Sequence, residues 1–389
     1  MSSHLDALGH VLQAAVEAGS VPGVVAAVTS AEETLWSGAF GVRSLTTGEP
    51  MLTDTVGAIM SMTKPITGAA AIQCVERGLL DLDAPAGDLI PFLGEVQVLD
   101  GFDDEGQPQL RPPSSKVTLR NLLTHTAGFA YDIWNTDLKQ YVDQVGETSA
   151  SFTHQHIKRP LMFDPGERWE YSVAIDWVGL MVEAATSKTL GRYLSEEFFG
   201  PLAMNSTSFE LSDTELAQAA SLHVRDGKSG YHVSPPKQRD ADFDSGGGGL
   251  YSNMDDYVRF MRMILNGGEL DGARVLSQES VDLMATNSMG DLRVVQLPST
   301  NLTISNHAEL MPGIPKSWGL TFQINEEPVS GGRSAGSLSW AGMYNSYFWI
   351  DRTNNIAGTY MTQMLPFADV ESVGLFETFE QATYSALRG

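Results

Sequence analysis

Four consecutive residues, Ser61-Met62-Thr63-Lys64, pair a hydroxyl with an amine at a spacing that suits nucleophilic catalysis. Side chains three positions apart share one face of a helix, so the amine of Lys64 would lie close enough to take the proton of Ser61. Pro65 is accommodated only in the first turn of a helix, which predicts that a helix starts close to Ser61 and carries Ser61 in its first turn. The residues that follow, as far as Cys74, are nearly all apolar. This helix is therefore predicted to be buried, and a buried lysine needs a partner or a function.

The same spacing has a plainer explanation, in which Ser61 caps a helix and Lys64 is solvated. A second Ser-x-x-Lys string, from Ser234 to Lys237, shows how little the spacing proves by itself. Its two central residues are prolines, which exclude a helix interior and predict a loop. From these residues alone, the nucleophile and the cap both remain open for Ser61.

A rival nucleophile is Ser334, within the G-x-S-x-G string at residues 332–336. In the α/β-hydrolases that use this string, the catalytic histidine follows the serine and the acid along the chain. Every histidine of this sequence precedes Ser334, so a triad of that order cannot form. We expect the glycines to make a turn before a strand.

The elements that must position these residues follow from the hydrophobic pattern. Strands are predicted near both chain ends and helices mainly between them. The predicted strands are residues 24–29, 35–42, 318–324, 337–340, 344–350 and 356–364. The predicted helices include residues 5–18, 117–123, 175–185 and 370–387. This order indicates one sheet assembled from both ends of the chain, with a helical insertion.

Composition limits the classes of partner. The 389 residues carry a formal net charge of −24, which disfavours nucleic acid and anionic membrane surfaces. The single cysteine, Cys74, excludes an intrachain disulfide. We find neither a secretion signal nor a membrane-spanning run, so a cytoplasmic protein is expected.

His154 and His156 could bind a metal, but no ligand cluster accompanies them, so we expect surface or loop histidines, no metal and no cofactor.

Four segments together resemble the serine hydrolases related to class C β-lactamases and penicillin-binding proteins, and most of all the family VIII carboxylesterases. They are Ser61 to Pro65, Leu119 to Gly128, Pro165 to Ser172 and Ser339 to Gly342. The resemblance runs from about residue 20 to the final helix. It implies an α/β (α+β) fold of the class C β-lactamase type, with an antiparallel sheet flanked by helices. Residues 1–81 and 245–389 would form the sheet domain, and residues 82–244 a mostly helical inserted domain.

The resemblance also implies a mechanism. Ser61 would attack an ester carbonyl, and Lys64 and Tyr171 would together take its proton. Either a lowered tyrosine pKa or a neutral lysine would permit this. The backbone N–H groups of Ser61 and Met343 would form the oxyanion hole. The residues predicted to shape the substrate pocket are Tyr131, Trp134, Val173, Trp340, Ala341 and Gly342.

The catalytic tyrosine has two candidates. The literal Tyr-Ser-Asn string of the lactamases occurs at Tyr251, after the glycine run 246–249, where the family has a loop leading into a helix. Tyr171 lies in the matching surroundings, although its string reads Tyr-Ser-Val. Because context outweighs the string, we predict that Tyr171 is catalytic and that Tyr251 is a packed loop residue.

Two departures from the lactamase pattern bear on the substrate. Val173 cannot replace the amide of an asparagine, and Trp340 removes the positive charge of a lysine. Both changes favour small neutral esters over lactams. The alternatives that stay open are a β-lactamase or D-amino-acid peptidase, an acyltransferase, and a binding protein that is acylated without turnover.

Overall fold

The computed structural model describes residues 2–145, 152–228 and 230–388. Its α-helices are α1 Ser2–Glu17, α2 Thr63–Glu76, α3 Pro91–Glu95, α4 Leu119–Leu123, α5 Thr136–Val145, α6 His154–Ile157, α7 Ala174–Thr186, α8 Leu190–Leu194, α9 Asp213–Gln218, α10 Met254–Leu265, α11 Gln278–Met284 and α12 Val370–Arg388. Short 3-10 turns cover Met60–Met62 and Ala86–Asp88. In these ranges, no helix combines the length and the apolar character that crossing a membrane requires.

The longer strands are β1 Gly23–Thr29, β2 Thr34–Gly41, β4 Val98–Phe102, β5 Pro108–Arg111, β6 Leu222–Arg225, β7 Tyr231–Ser234, β13 Leu338–Gly342, β14 Ser346–Asp351 and β15 Ile356–Met361. The shorter ones are β3 Gly57–Ala58, β8 Tyr251–Ser252, β9 Glu269–Leu270, β10 Ala273–Arg274, β11 Lys316–Trp318, β12 Gln323–Asn325 and β16 Met364–Leu365.

One antiparallel sheet organises the described part of the chain. Its seven strands run in the order β11-β12-β13-β14-β15-β1-β2, so an N-terminal hairpin pairs directly with the C-terminal strands. Val25 of β1 lies opposite Met361 of β15, which fixes the register between the two chain ends. This arrangement confirms the predicted sheet built from both ends.

Both faces of the sheet are covered, which is why β1 and β15 are buried along their whole length. Helix α10 packs on β1, β14 and β15, while α1 packs on α12 and β2. Helix α2 packs against α7 and α11 and is enclosed from Thr63 to Cys74. The prediction of a buried lysine helix is therefore confirmed.

The tract 82–244 contains helices α3 to α9 together with two hairpins, β4–β5 and β6–β7. The first hairpin turns at Asp103, whose carboxylate accepts the turn N–H groups of Glu105 and Gln107. Strand β16 adds to β6 in parallel, so this tract is joined to the C-terminal part of the chain. The division of the chain into two domains stays a prediction.

Two local predictions were wrong. The predicted strand 318–324 is two strands, β11 and β12, because the chain reverses at Thr321, whose φ is +81°. Ser61 lies in the 3-10 turn that precedes α2 and not in the first turn of the α-helix itself. In both places a turn stabilised by tertiary packing replaces the regular element that the local sequence favours.

Candidate active site

Ser61 is held on a short 3-10 turn that packs against strand β13 of the central sheet. The preceding residue, Met60, has a φ of +49°, an uncommon backbone conformation for a residue with a long side chain. Strand β13 contacts the turn at Gly342, where an added Cβ would lie 2.3 Å from the carbonyl oxygen of Ile59. Glycine at this position therefore lets the sheet and the serine turn approach each other closely.

Lys64 is fully buried next to Ser61. Its Nζ lies 3.1 Å from Ser61 Oγ, 3.1 Å from Tyr131 Oη and 2.6 Å from the carbonyl oxygen of Gly247. Burial lowers the pKa of Lys64 to about 7, while the charge of Asp176 acts in the opposite direction. A large fraction of the amine is therefore neutral near pH 7, and a neutral amine can accept a proton.

Asp176 is a buried carboxylate that the sequence reasoning missed. It lies in the first turn of α7, and its Oδ1 accepts hydrogen bonds from Ser245 Oγ at 2.6 Å and from the N–H of Gly247 at 2.9 Å. The same Gly247 offers its carbonyl to Lys64. Asp176 thus fixes one acceptor of the lysine, and a negative charge five residues after Tyr171 was the available signal.

Tyr171 lies between Ser61 and an aromatic wall. Its hydroxyl is hydrogen-bonded to Ser61 and accepts the indole N–H of Trp340 at 2.9 Å. Lys64 Nζ lies over the tyrosine ring, 4.7 Å from its centre. Burial raises the pKa of Tyr171, although both hydrogen bonds act to lower it. The phenol is therefore neutral at pH 7, which favours the neutral lysine over an ionised tyrosine as the base.

The competing tyrosine and serines lie elsewhere. Tyr251 donates its hydroxyl to the carbonyl of Lys237 at 3.0 Å, and Asn253 caps α10. Ser334 occupies the turn before β13, where its Oγ accepts a hydrogen bond from Asn354. The string from Ser234 to Lys237 begins at the last residue of β7 and continues as a largely exposed loop.

The glycine run 246–249 is a tightly approached loop against α2 and α7. A Cβ on Gly246 would lie 2.8 Å from Thr67, and one on Gly247 would lie 2.5 Å from the carboxylate of Asp176. These contacts leave no room for side chains. The loop thereby brings its backbone to Lys64.

A cavity of about 220 Å³ opens at Ser61. Three of the predicted site residues, Tyr131, Trp134 and Met343, line it, and Asp176 adds a carboxylate. Most of the remaining wall is apolar and includes Ile133, Phe152, Ile157, Phe243, Ile304 and Leu365. The cavity therefore suits a small apolar group with its ester carbonyl at Ser61.

The other four predicted pocket residues are not among the described residues that line this cavity. Trp340 contacts Tyr171 and lines a separate cavity, while Val173 is buried as the N-cap of α7. Ala341 and Gly342 are buried in β13. Trp340 therefore acts on the site through Tyr171, and Gly342 through its close approach to Ile59.

His156 was wrongly predicted to be a surface or loop residue. It is buried on α6 and lines the cavity beside Ser61. Thr153 caps this short helix, and the turn directs His156 toward Arg159, whose Nη2 lies 3.0 Å from its Nδ1. Within the described ranges, no group of three or more His, Cys, Asp or Glu side chains is placed to hold a metal ion.

The geometry can be compared with known proteins. The β-lactamase family model matches residues 8–377. Monacolin J acid methylbutanoyltransferase of Aspergillus terreus is 32% identical over 390 residues, which cover 95% of this chain and 93% of the relative. Lovastatin esterase of Penicillium rubens is 30% identical, with 97% of this chain and 98% of the relative covered.

A solved structure of the same kind is also similar. It is a mutant of simvastatin synthase from Aspergillus terreus, which superposes with a TM-score of 0.86 at 29% sequence identity. The match covers 100% of this chain and 99% of the other. A methylbutanoyltransferase and an esterase are thus both similar to this chain in sequence.

Proposed function

Since the chain belongs to the β-lactamase family of serine enzymes, we propose that it is a carboxylesterase that forms an acyl-enzyme on Ser61. The observation that carries the proposal is the buried Lys64 amine, 3.1 Å from Ser61 Oγ, with a pKa lowered to about 7. A base with this pKa takes the serine proton at neutral pH without a histidine.

The contacts of Lys64 explain how its lone pair is directed. A neutral amine has two N–H groups, which can go to the carbonyl of Gly247 and the hydroxyl of Tyr131. The lone pair then faces Ser61 and accepts its proton as Oγ attacks the ester carbonyl. Acylation therefore begins with the serine proton on Lys64 and a tetrahedral oxyanion on the substrate.

Tyr171 supplies the second proton transfer. Its phenol is neutral and hydrogen-bonded to Ser61, so it can protonate the leaving alkoxide as the tetrahedral intermediate collapses. The proton held by Lys64 then restores the phenol, and one proton has moved in total from Ser61 to the alcohol product. Water attacks the acyl-enzyme by the reverse sequence of transfers.

The oxyanion would be held by the backbone N–H groups of Ser61 and Met343. Both residues line the cavity, and Met343 directly follows β13, the strand that supports the serine turn. Donors fixed in a buried site stabilise the developing charge, and losing one typically costs about 3 kcal/mol.

The cavity argues for compact, neutral acyl groups. Its volume of about 220 Å³ is below the roughly 300–1,000 Å³ of pockets for drug-sized ligands. Its walls are mostly apolar. Outside its lining, Trp340 stands where the resemblance to the lactamases leads us to expect a lysine. Short or branched aliphatic acyl groups match these dimensions.

A hydrolysis panel tests the proposal. Purified protein is assayed on p-nitrophenyl acetate, longer p-nitrophenyl esters and nitrocefin, together with the variants Ser61→Ala and Ser334→Ala. We expect turnover of the short esters that Ser61→Ala abolishes and Ser334→Ala retains. Rapid nitrocefin turnover without esterase activity would contradict the substrate assignment, and a burst without turnover would indicate a binding protein.

Acyl transfer to an alcohol is the second candidate, and the relatives favour it. The similar proteins include a methylbutanoyltransferase as well as an esterase, so the same acyl-enzyme could be discharged by either acceptor. The partition is measured by adding small and polycyclic alcohols to the ester assay and quantifying the new ester against free acid. Ester product in excess of acid at millimolar alcohol would assign the transferase.

A further inference from the structure

The segment from Leu119 to Gly128, which resembles a characteristic stretch of the family, has no part in the proposed chemistry. In the structure it lies beside the segment that carries Tyr171. The carbonyls of Thr126 and Gly128 accept the N–H groups of Gly166 and Met162 at 2.7 Å each. The first segment thus provides a backbone support for the second.

Within this segment, His125 bonds to the two residues that flank Tyr171. Its carbonyl accepts the N–H of Glu170 at 3.0 Å, and its Nδ1 lies 3.1 Å from Ser172 Oγ. The residues immediately before and after the tyrosine are therefore both bonded to one histidine. Ser172 Oγ in turn accepts the N–H of Ala174, at the start of α7.

The imidazole ring also packs on the tyrosine. The ring centres of His125 and Tyr171 are 4.8 Å apart, and His125 meets Trp318 edge-on at 5.1 Å. Trp318 packs at 4.7 Å against Trp340, which donates to the tyrosine hydroxyl. His125 therefore packs directly on the ring of Tyr171. It also supports Trp340, the donor to the tyrosine hydroxyl, through the intermediate ring of Trp318.

The position of His125 is specialised. Its φ is +57°, in the left-handed region that is uncommon for residues other than glycine but more frequent for asparagine, aspartate and histidine, and its side chain is buried. Its Nε2 has no hydrogen-bond partner among the described residues. Burial and the nearby charge of Lys64 lower the pKa of His125, so the ring stays neutral. A buried ring with a nitrogen that lacks a hydrogen-bond partner is costly, which points to a role at the site.

We infer that His125 is a positioning residue for Tyr171, which it holds through the two flanking residues and through ring contact. The inference rests on the proposed function, because it assigns a purpose to the tyrosine of that mechanism. His125 does not line the cavity among the described residues, so its loss is expected to slow proton transfer without weakening substrate binding.

The test uses three variants of the full chain. His125→Phe keeps the ring and removes its nitrogens, while His125→Asn keeps a hydrogen-bonding group and tolerates the left-handed backbone. Ser172→Ala removes the partner and leaves residue 125 unchanged, so it remains informative if His125→Phe fails to fold. His223→Phe is the matched control, because His223 is also buried and bonded through both ring nitrogens, to Leu45 and Gln363.

The readouts are the rate at which an alkyl fluorophosphonate labels Ser61, the kcat and KM for p-nitrophenyl acetate, and the melting temperature. We expect His125→Phe to lower the labelling rate and kcat about 100-fold, since small misplacements of catalytic groups have effects of this size. KM should change little, Ser172→Ala should be slowed to a smaller extent, and His125→Asn should recover most of the rate. His223→Phe should lose stability with near-normal labelling.

The outcomes separate this inference from the function on which it rests. If the wild-type protein is not labelled at Ser61, the proposed function itself is wrong. If the wild type is labelled and folded His125→Phe reacts as fast as His223→Phe, only the role of His125 is refuted. A normal rate in Ser172→Ala, or an effect confined to KM, refutes it as well.

Discussion

Trp340 donates its indole N–H to the hydroxyl oxygen of Tyr171 at 2.9 Å, and both rings are buried. An indole can only donate, so this contact occupies an acceptor site of the phenol and leaves the phenol O–H free to point toward Ser61. Trp340 therefore acts on the tyrosine that we propose to be catalytic. Through this hydrogen bond, strand β13 of the sheet contacts the tyrosine of the proposed proton transfer.

Removing this donor should slow catalysis while the fold is kept. Trp340→Phe retains most of the ring contacts with Tyr171 and loses the hydrogen bond, so we expect kcat to fall about tenfold, the equivalent of roughly 1.4 kcal/mol. The matched control is Trp349→Phe, which removes a buried indole N–H bonded to Tyr384. Equal kcat values for the two variants would show that the Trp340 bond has no catalytic role.

The acylation rate should depend on the protonation of Lys64. Burial lowers its pKa to about 7, and only the neutral amine accepts the serine proton. We therefore expect kcat/KM for p-nitrophenyl acetate to rise with pH and to reach half its maximum near pH 7. A flat profile between pH 5.5 and 8.5 would argue against the lysine as the base.

Asp176→Asn should shift that profile toward lower pH. The negative charge of Asp176 favours the protonated lysine and so raises its pKa, and an amide removes this effect. The amide oxygen can still accept from Ser245 and Gly247, which keeps the loop in place. The test is the midpoint of the kcat/KM profile relative to wild type, and an upward shift would contradict the assigned sign.

Removing the hydroxyl of Tyr171 should lower kcat by orders of magnitude more than removing the hydroxyl of Tyr251. Tyr171→Phe removes the proposed acid and is expected to lower kcat by roughly 10²- to 10⁴-fold. Tyr251→Phe removes only a hydroxyl bonded to the Lys237 carbonyl and should change kcat less than about twofold. Steady-state rates on one ester decide between them. The choice of Tyr171 fails if the larger loss belongs to Tyr251→Phe.

Gly342→Ala should disturb the serine turn. An added Cβ would lie 2.3 Å from the Ile59 carbonyl oxygen, so the backbone next to Ser61 has to move. We expect a loss of about 1–3 kcal/mol in the free energy of unfolding and a lower kcat. Gly374→Ala is the opposite control, because its Cβ meets open space on α12 and alanine favours a helix by about 1 kcal/mol. Urea unfolding of both variants checks the contrast.

Much of the fold was predictable because its signals are local. The hydrophobic periods placed the N-terminal hairpin, the helix after Ser61 and the final helix, and the order of strands indicated a sheet made from both ends. The prediction failed at Thr321 and at the 3-10 turn of Ser61, where packing decides the backbone. The hydrophobic periods of 3.6 residues for helices and 2 residues for strands carry no information about such turns.

By itself, the sequence determined the family and the spacing of Ser61 and Lys64, since three positions on a helical segment bring two side chains together in any context. It could not supply the partners that set their chemistry. Asp176, Tyr131 and Gly247 reach Lys64 from segments 67 to 183 residues away, and burial lowers the lysine pKa only after these segments enclose it. Long-range contacts and desolvation exist only in the folded chain, and so the tertiary structure decided the hydrogen-bond partners and the lowered pKa of Lys64.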